Sequence, residues 1–273
     1  MVEEGERLSP GTRVRVEFVH PGYGRDGALA EYAVVPEEPE ASDRASQASV
    51  APIGDELDDT EAAALGVPVF TALMCLERAE RAGASLEGAH VLVNGATGAV
   101  GTVAVQLAKL MGAARIVAAG RDPERLERAL SLGADAGVEL ADELGAEELR
   151  DRFADASEGR LDVALDPLWG EPARAAIDAL TRDGVYVSFG QAASPVAELS
   201  GIPMRNRRIT VVGHSGAWAT PQERQAALAR AHELAKQSGS RLTLDTEELA
   251  LEDIEEGWER LSRSAGRRLV VRP

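Results

Sequence analysis

The sequence predicts an α/β protein built on a doubly wound parallel sheet, with a smaller β-rich part beside it. Three observations carry that reading. Short apolar runs at VLVNG (91–95), RIVAAG (115–120), LDVALD (161–166), VYVSFG (185–190) and ITVVGH (209–214) are separated by helix-patterned stretches, which is the mark of βαβ units. A glycine-bearing turn stands between the first of these runs and its helix. Ahead of them, TRVRVEFV (12–19) places Val14, Val16 and Phe18 at the period of a half-buried strand.

Taken in order, TRVRVEFV is followed by the glycines of PGYGRDG and a second β-like run, ALAEYAVV (28–35), so the chain opens as part of a small antiparallel domain. The stretch from Pro36 to Gln47 is polar and acidic, holds two prolines and reads as a loop. From Asp58, acids open a helical pattern whose apolar spacing runs on towards Gly83, giving one or two helices. The five strands then alternate with a helix through Gly112, one from Pro123 and one from Glu171. A helical stretch (221–237), an acidic amphipathic segment around Trp258 and a strand in RRLVVRP complete the chain. No period of 20 to 50 residues repeats, so a solenoid or propeller is not supported.

Composition bounds the function. With 273 residues, 44% of them apolar and 27% charged, the chain can bury a sizeable core and is not disordered in the main. Its 46 acids against 29 bases, a net charge of -17, disfavour nucleic acid and anionic membranes as partners. Lys109 and Lys236 are its only lysines, which fits an acidic, arginine-rich surface and bears on solubility alone. Cys75 is the single cysteine, so no intramolecular disulfide and no zinc site needing two thiolates can be assembled. No apolar leader opens the chain and no window of about 18 to 20 uninterrupted apolar residues occurs, so a soluble, cytoplasmic protein is expected.

The chemistry-bearing motif is Ala96-Thr97-Gly98-Ala99-Val100-Gly101, an A-x-G-x-x-G turn between VLVNG and a helix carrying Val103, Leu107 and Leu110. In that setting Gly98 lets backbone approach a pyrophosphate, Gly101 lets helix pack on strand, and the helix amides attract the anion. The bland alternative is a pair of turn and packing glycines. At the end of the next strand, where an NAD-selective site places an acid, stand Gly120 and Arg121. A guanidinium there offers bidentate hydrogen bonds to a 2′-phosphate, which favours NADP(H). Asp122-Pro123-Glu124 reads as a helix cap rather than the missing acid. Arg125, one turn on, is either a second phosphate ligand or a solvated arginine. Asp166 to Gly170 and Gly190-Gln191 each follow a strand, where they either touch the nicotinamide half or simply punctuate turns.

Seven segments together, GALAEYAVVP (27–36), EAAALGVPVFTAL (61–73), VLVNGATGAVGTVAVQLAKLMGA (91–113), AAGRDPERLERALSLGAD (118–135), DVALDPLWG (162–170), GVYVSFGQ (184–191) and RRLVV (267–271), run through the chain in order. They resemble the medium-chain dehydrogenase/reductase superfamily, in particular its zinc-independent quinone oxidoreductase-like branch. The resemblance implies a Rossmann domain over 61–240 and an incomplete GroES-like, β-rich catalytic domain over 1–60, to which 241–273 returns, with NADP(H) in the cleft. It would set Thr71 near the nicotinamide or its ribose, Gly98 to Gly101 at the pyrophosphate, and Arg121 with Arg125 at the 2′-phosphate. Gly190 and His214-Ser215 would lie by the nicotinamide. A homodimer joined through the Rossmann sheets is also implied. Against the family pattern, a stretch that lines the substrate side has no counterpart before the GTRV-like segment, so a shortened N-terminal domain is expected and its residues cannot be carried over. Catalytic zinc ligands are absent from the pattern too.

Hydride transfer is largely the coenzyme's own chemistry, and the protein must orient the acceptor and stabilise charge on its oxygen. A quinone or an α,β-unsaturated carbonyl suits a metal-free pocket. Tyr23, Tyr32, Tyr186, His214 and Ser215 are the available donors. Tyr32 and Tyr186 sit in strand patterns and read as core, which leaves His214 as the candidate. His20, His90 and His232 stand at no metal-ligand spacing. A short-chain reductase needs a tyrosine four residues before a lysine, and Val105 and His232 occupy those positions. Two functions follow: an NADPH-dependent oxidoreductase, or an NADP(H)-binding protein without catalysis.

Overall fold

The computed structural model describes residues 2, 8–17, 29–35, 49–54, 56–262 and 267–273. Phe18, His20, Tyr23 and the loop expected over Pro36 to Gln47 lie outside the described residues. The chain forms two compact units, one of Thr71–Ser215 with Ala231–Leu242, the other of Met1–Phe70, Gly216–Arg230 and Thr243–Pro273.

The larger unit is a Rossmann-like α/β fold. Its sheet has six parallel strands in the order β5-β4-β3-β6-β7-β8. They are β3 (His90–Asn94), β4 (Arg115–Gly120), β5 (Ala136–Glu139), β6 (Val163–Asp166), β7 (Val185–Ser188) and β8 (Thr210–Gly213). The helices between them are α2 (Ala99–Leu110), α3 (Pro123–Ser131), α4 (Ala146–Ala156), α5 (Gly170–Ala179) and α6 (Gly201–Arg207). Val91 to Val93 and Val163 to Leu165 are wholly buried, as strands covered on both faces must be, and this explains their unbroken apolar runs. Leu92, Ala164 and Tyr186 pack with Phe153 of α4 and Ile177 of α5. The strand order reverses between β3 and β6, and ligands of such sheets collect beyond the strand ends at that point.

In the smaller unit β1 (Val14–Glu17) pairs antiparallel with β2 (Ser49–Pro52), Val14 opposite Pro52. β9 (Thr246–Ala250) pairs parallel with β10 (Arg268–Arg272), and α8 covers Ile254–Ser262. The strand expected over 28–35 is corrected here: residues 29–35 carry no strand, and Tyr32 and Val34 face outward. Apolar alternation alone makes no strand without a ladder partner, and β1 takes Ser49–Pro52 instead.

Two helices, α1 (Asp59–Arg81) and α7 (Pro221–Gln237), run from one unit into the other. α1 is one continuous helix despite Pro68, held by the buried Leu65, Val69, Leu73 and Leu76. By length and composition it could cross a membrane, yet 67% of its apolar window is buried within the fold, so that surface is core. Its N-terminus is tied down by Thr60, which donates to Glu248, and by Arg272, which reaches both.

Between α3 and β6 the structure holds β5 and α4, where the pattern separated nothing. β5 buries only Val138, too little for periodicity to register.

Candidate nucleotide-binding site

The turn after β3 is fastened to the end of β4. Ala96 N–H donates to Ala119 O at 2.9 Å, Gly98 N–H to Gly95 O at 2.9 Å, and Thr102 Oγ1 to Ala96 O at 3.1 Å. A Cβ on Gly101 would stand 2.2 Å from Gly95 O, so only glycine lets α2 start this close to the strand. Thr97, Ala99 and Val100 are half-buried and Gly98 is exposed, leaving the turn open to a ligand.

The first turn of α2 differs from those of the other long helices. α1, α3, α4, α5, α7 and α8 each carry an acid there. α2 has neither an acid nor a side-chain cap. In a chain of charge -17 this leaves α2, among the long helices described, with an N-terminus whose amides and dipole are unopposed, suited to an anion.

At the tip of β4, Gly120 is buried against Thr97. Arg121 is exposed and makes no ion pair with the described residues. Asp122 is the cap of α3, as the sequence indicated, accepting from Arg125 N–H at 3.2 Å. Its carboxylate also holds Arg125 Nε at 3.1 Å, so Arg125 is engaged rather than free.

At the end of β6, Asp166 is wholly buried and its oxygens are occupied. Leu168 N–H donates to it at 3.0 Å, Trp169 N–H at 2.9 Å, and the Tyr186 hydroxyl bonds it as well. Burial pushes this carboxyl above the ordinary range, with the hydroxyl, both amides and the Asn94 amide pulling the other way. Burial, then the adjoining carboxylate, drives the Tyr186 phenol well up. With no exposed surface, Asp166 is not available for the direct coenzyme contact expected of it. It acts through the loop it holds. Trp169 sits at φ 61° and ψ -166°, a region that disfavours side chains, and its ring lies 6.1 Å from that of Tyr186. Pro167 of this loop meets two glycines: a Cβ on Gly95 would stand 2.9 Å from its Cγ, and one on Gly190 2.5 Å from its carbonyl oxygen.

The ends of β3, β4, β6 and β7 thus bring Ala96 to Gly101, Gly120, the 167–170 loop and Gly190 into one rim, with Gln191 exposed after it. His214, following β8, is anchored by its N–H on Ser188 O at 2.8 Å. Its Nε2 is shielded and has no hydrogen-bond partner among the described residues, and burial, reinforced by Arg78 and Arg81, lowers its pKa and favours the neutral ring. Ser215 is exposed, and Thr71 lies half-buried within α1, apart from the glycine rim in the contacts described. Sequence reasoning missed Asn94, fully buried with Nδ2 3.4 Å from Pro172 O. A polar residue ending the apolar run VLVN was the available signal.

Zinc does not fit these residues. Among the described residues no group of three or more His, Cys, Asp or Glu could hold a metal, and Cys75 is buried in α1 with its thiol pushed up by burial.

The family described as zinc-binding dehydrogenase matches residues 99–233. Putative quinone oxidoreductase YhfP of Bacillus subtilis is 26% identical over 248 residues, 90% of this chain and 70% of that protein. The chain is similar, over most of its length, to quinone oxidoreductases of the medium-chain dehydrogenase/reductase superfamily. The crystal structure of YhfP with NAD bound superposes with a TM-score of 0.77 at 25% identity, over 98% of this chain and 76% of that one. The quinone oxidoreductase of Thermus thermophilus, also crystallised with NADPH, gives a TM-score of 0.67 at 29% identity, over 91% and 74%. A phenolphthiocerol/phthiocerol polyketide synthase of Mycobacterium tuberculosis is 33% identical over 143 residues, 52% of this chain but only 6% of the synthase.

Proposed function

We propose that this protein is an NADPH-dependent, zinc-independent oxidoreductase that passes hydride to a quinone or an α,β-unsaturated carbonyl. The observation that carries the reading is the acid-free, uncapped start of α2 beside a strand tip bearing Gly120 and Arg121 instead of a carboxylate. Quinone oxidoreductases among the relatives, crystallised with NAD or NADPH, support it.

When bound, NADPH supplies the hydride. In this reading the turn from Ala96 to Gly101 holds the pyrophosphate through the first amides of α2. Arg121 takes the 2′-phosphate with bidentate hydrogen bonds, and Arg125 adds a second guanidinium on leaving Asp122. Gly190, Gln191 and the loop fixed by Asp166 border the nicotinamide, as does Thr71. His214, neutral, offers an N–H to the acceptor oxygen. The unit of Thr71–Ser215 with Ala231–Leu242 serves as the dinucleotide-binding domain and the other as the GroES-like part, so the boundaries expected at 60/61 and 240/241 shift and Gly216–Arg230 moves to the smaller unit. The protein works as a homodimer in the cytoplasm.

Steady-state NADPH oxidation against a panel of quinones and enones tests this. Turnover with at least one acceptor, lowered by His214→Ala without loss of NADPH affinity, is expected. NADPH binding without turnover overturns the catalytic part and leaves the binding protein, which the shielding of His214 Nε2 would then explain.

A further inference from the structure

We infer that Thr97 is a specificity-determining residue: it occupies the space that any side chain at position 120 would need, and so keeps an acid off the tip of β4. The inference rests on the NADP(H) reading above and adds a residue to it.

Gly120 is buried, and its φ lies outside the left-handed region, so conformational freedom does not explain the glycine. Space does. A Cβ built there would stand 2.4 Å from Thr97 Cγ2, 2.9 Å from Oγ1 and 3.2 Å from Cβ. Turning χ1 of a β-branched residue exchanges one substituent for another and leaves its Cβ where it is. Nor can Thr97 retreat easily, since Ala96 N–H is bonded to Ala119 O at 2.9 Å and Gly98 N–H to Gly95 O at 2.9 Å on its other side. An NAD-selective site needs a carboxylate at this strand tip to receive the ribose hydroxyls. Here a carboxylate at 120 would first have to displace the turn that receives the pyrophosphate. Discrimination is thus partly repulsive: Arg121 attracts the phosphate, and Thr97 bars the residue that would favour the hydroxyl.

A double-mutant cycle tests the interlock, with Kd for NADPH and NADH by calorimetry and the thermal midpoint without coenzyme. Gly120→Ala adds only the obstructing atom. It should lower the midpoint and weaken NADPH binding by about tenfold or more, and Thr97→Gly in the same chain should restore both towards the Thr97→Gly reference. Gly120→Asp alone should gain no NADH affinity, whereas Thr97→Gly with Gly120→Asp should prefer NADH. Variants at 120 that fold only when Thr97 is replaced support the interlock equally. It is overturned if Gly120→Ala matches the wild type in midpoint and Kd, or if Gly120→Asp alone switches preference as fully as the pair. Wild-type protein that binds neither coenzyme defeats the functional reading instead, while the midpoints still report on the steric contact.

Discussion

The two units bury polarity in different ways. In the larger one, Asp166 lies inside an extensive apolar core and is met by two backbone amides and the Tyr186 hydroxyl, so it fixes a loop at the ligand-facing edge of the sheet. In the smaller one, the buried Glu17 is faced by two arginines. Arg15 Nε lies 3.1 Å from one oxygen and Arg224 Nε 3.7 Å from the other, while the fully buried Arg224 also donates to Ala219 O at 2.6 Å. Gly66 of α1 packs on this pair, its Cβ position 3.2 Å from Glu17 Oε1. Buried hydrogen-bonded acids can shape a site, whereas a buried ion pair offsets its own desolvation and is strongly destabilising only when half of it is removed.

The largest expected effect follows from that difference. Arg224→Met leaves Glu17 buried without one partner and should cost about 3–5 kcal/mol in urea unfolding. Hydrogen exchange should rise in β1 and the first half of α1 while β3 and β6 stay protected. Equal opening of the sheet would erase the distinction. The sign of the pH dependence is also set. Burial raises the Glu17 pKa above its ordinary 4.5, opposed by the arginines, so the native state binds more protons than the unfolded one above that value. Stability from this group is complete below pH 4.5 and declines as pH rises through the folded pKa, more steeply in Arg224→Met and not at all in Glu17→Gln.

A second, intermediate effect belongs to the larger unit. Gly101→Ala sets a Cβ against backbone that cannot move aside, and should cost about 1–3 kcal/mol by calorimetry together with most of the NADPH affinity. The same substitution at Gly201, where no atom stands near, should leave NADPH affinity unchanged. The smallest belongs to Tyr186→Phe, which removes one of several donors to Asp166 and should cost about 1 kcal/mol. Because the lost hydroxyl lowers the Asp166 pKa, the variant should also lose stability more steeply as pH rises above 3.8. A flat profile there would mean that Asp166 is not held as its contacts indicate.

The turn at Ala96 to Gly101, the strand tip at Gly120-Arg121 and the Asp122 cap were legible because each is a local rule of spacing. What escaped the sequence is what depends on contact across space. Asp166 looked like a ligand residue since it follows a strand, and only the register of β6 beside β7 brings the Tyr186 hydroxyl to it. Thr97 is one ordinary residue within a motif until the tip of β4 is set against it. Residues 29–35 have strand composition and no described partner, while Ser49–Pro52 has little of that composition and pairs with β1 through register alone.

Where a phosphorylated adenine dinucleotide docks decides the rest, and calorimetric titration of NADPH and NADH into wild-type and Arg121→Ala protein measures it most directly. Tighter binding of NADPH than NADH is expected, with Arg121→Ala weakening NADPH by about tenfold or more and leaving NADH nearly untouched. Equal loss for both coenzymes, or no heat from either on folded wild-type protein, would contradict it.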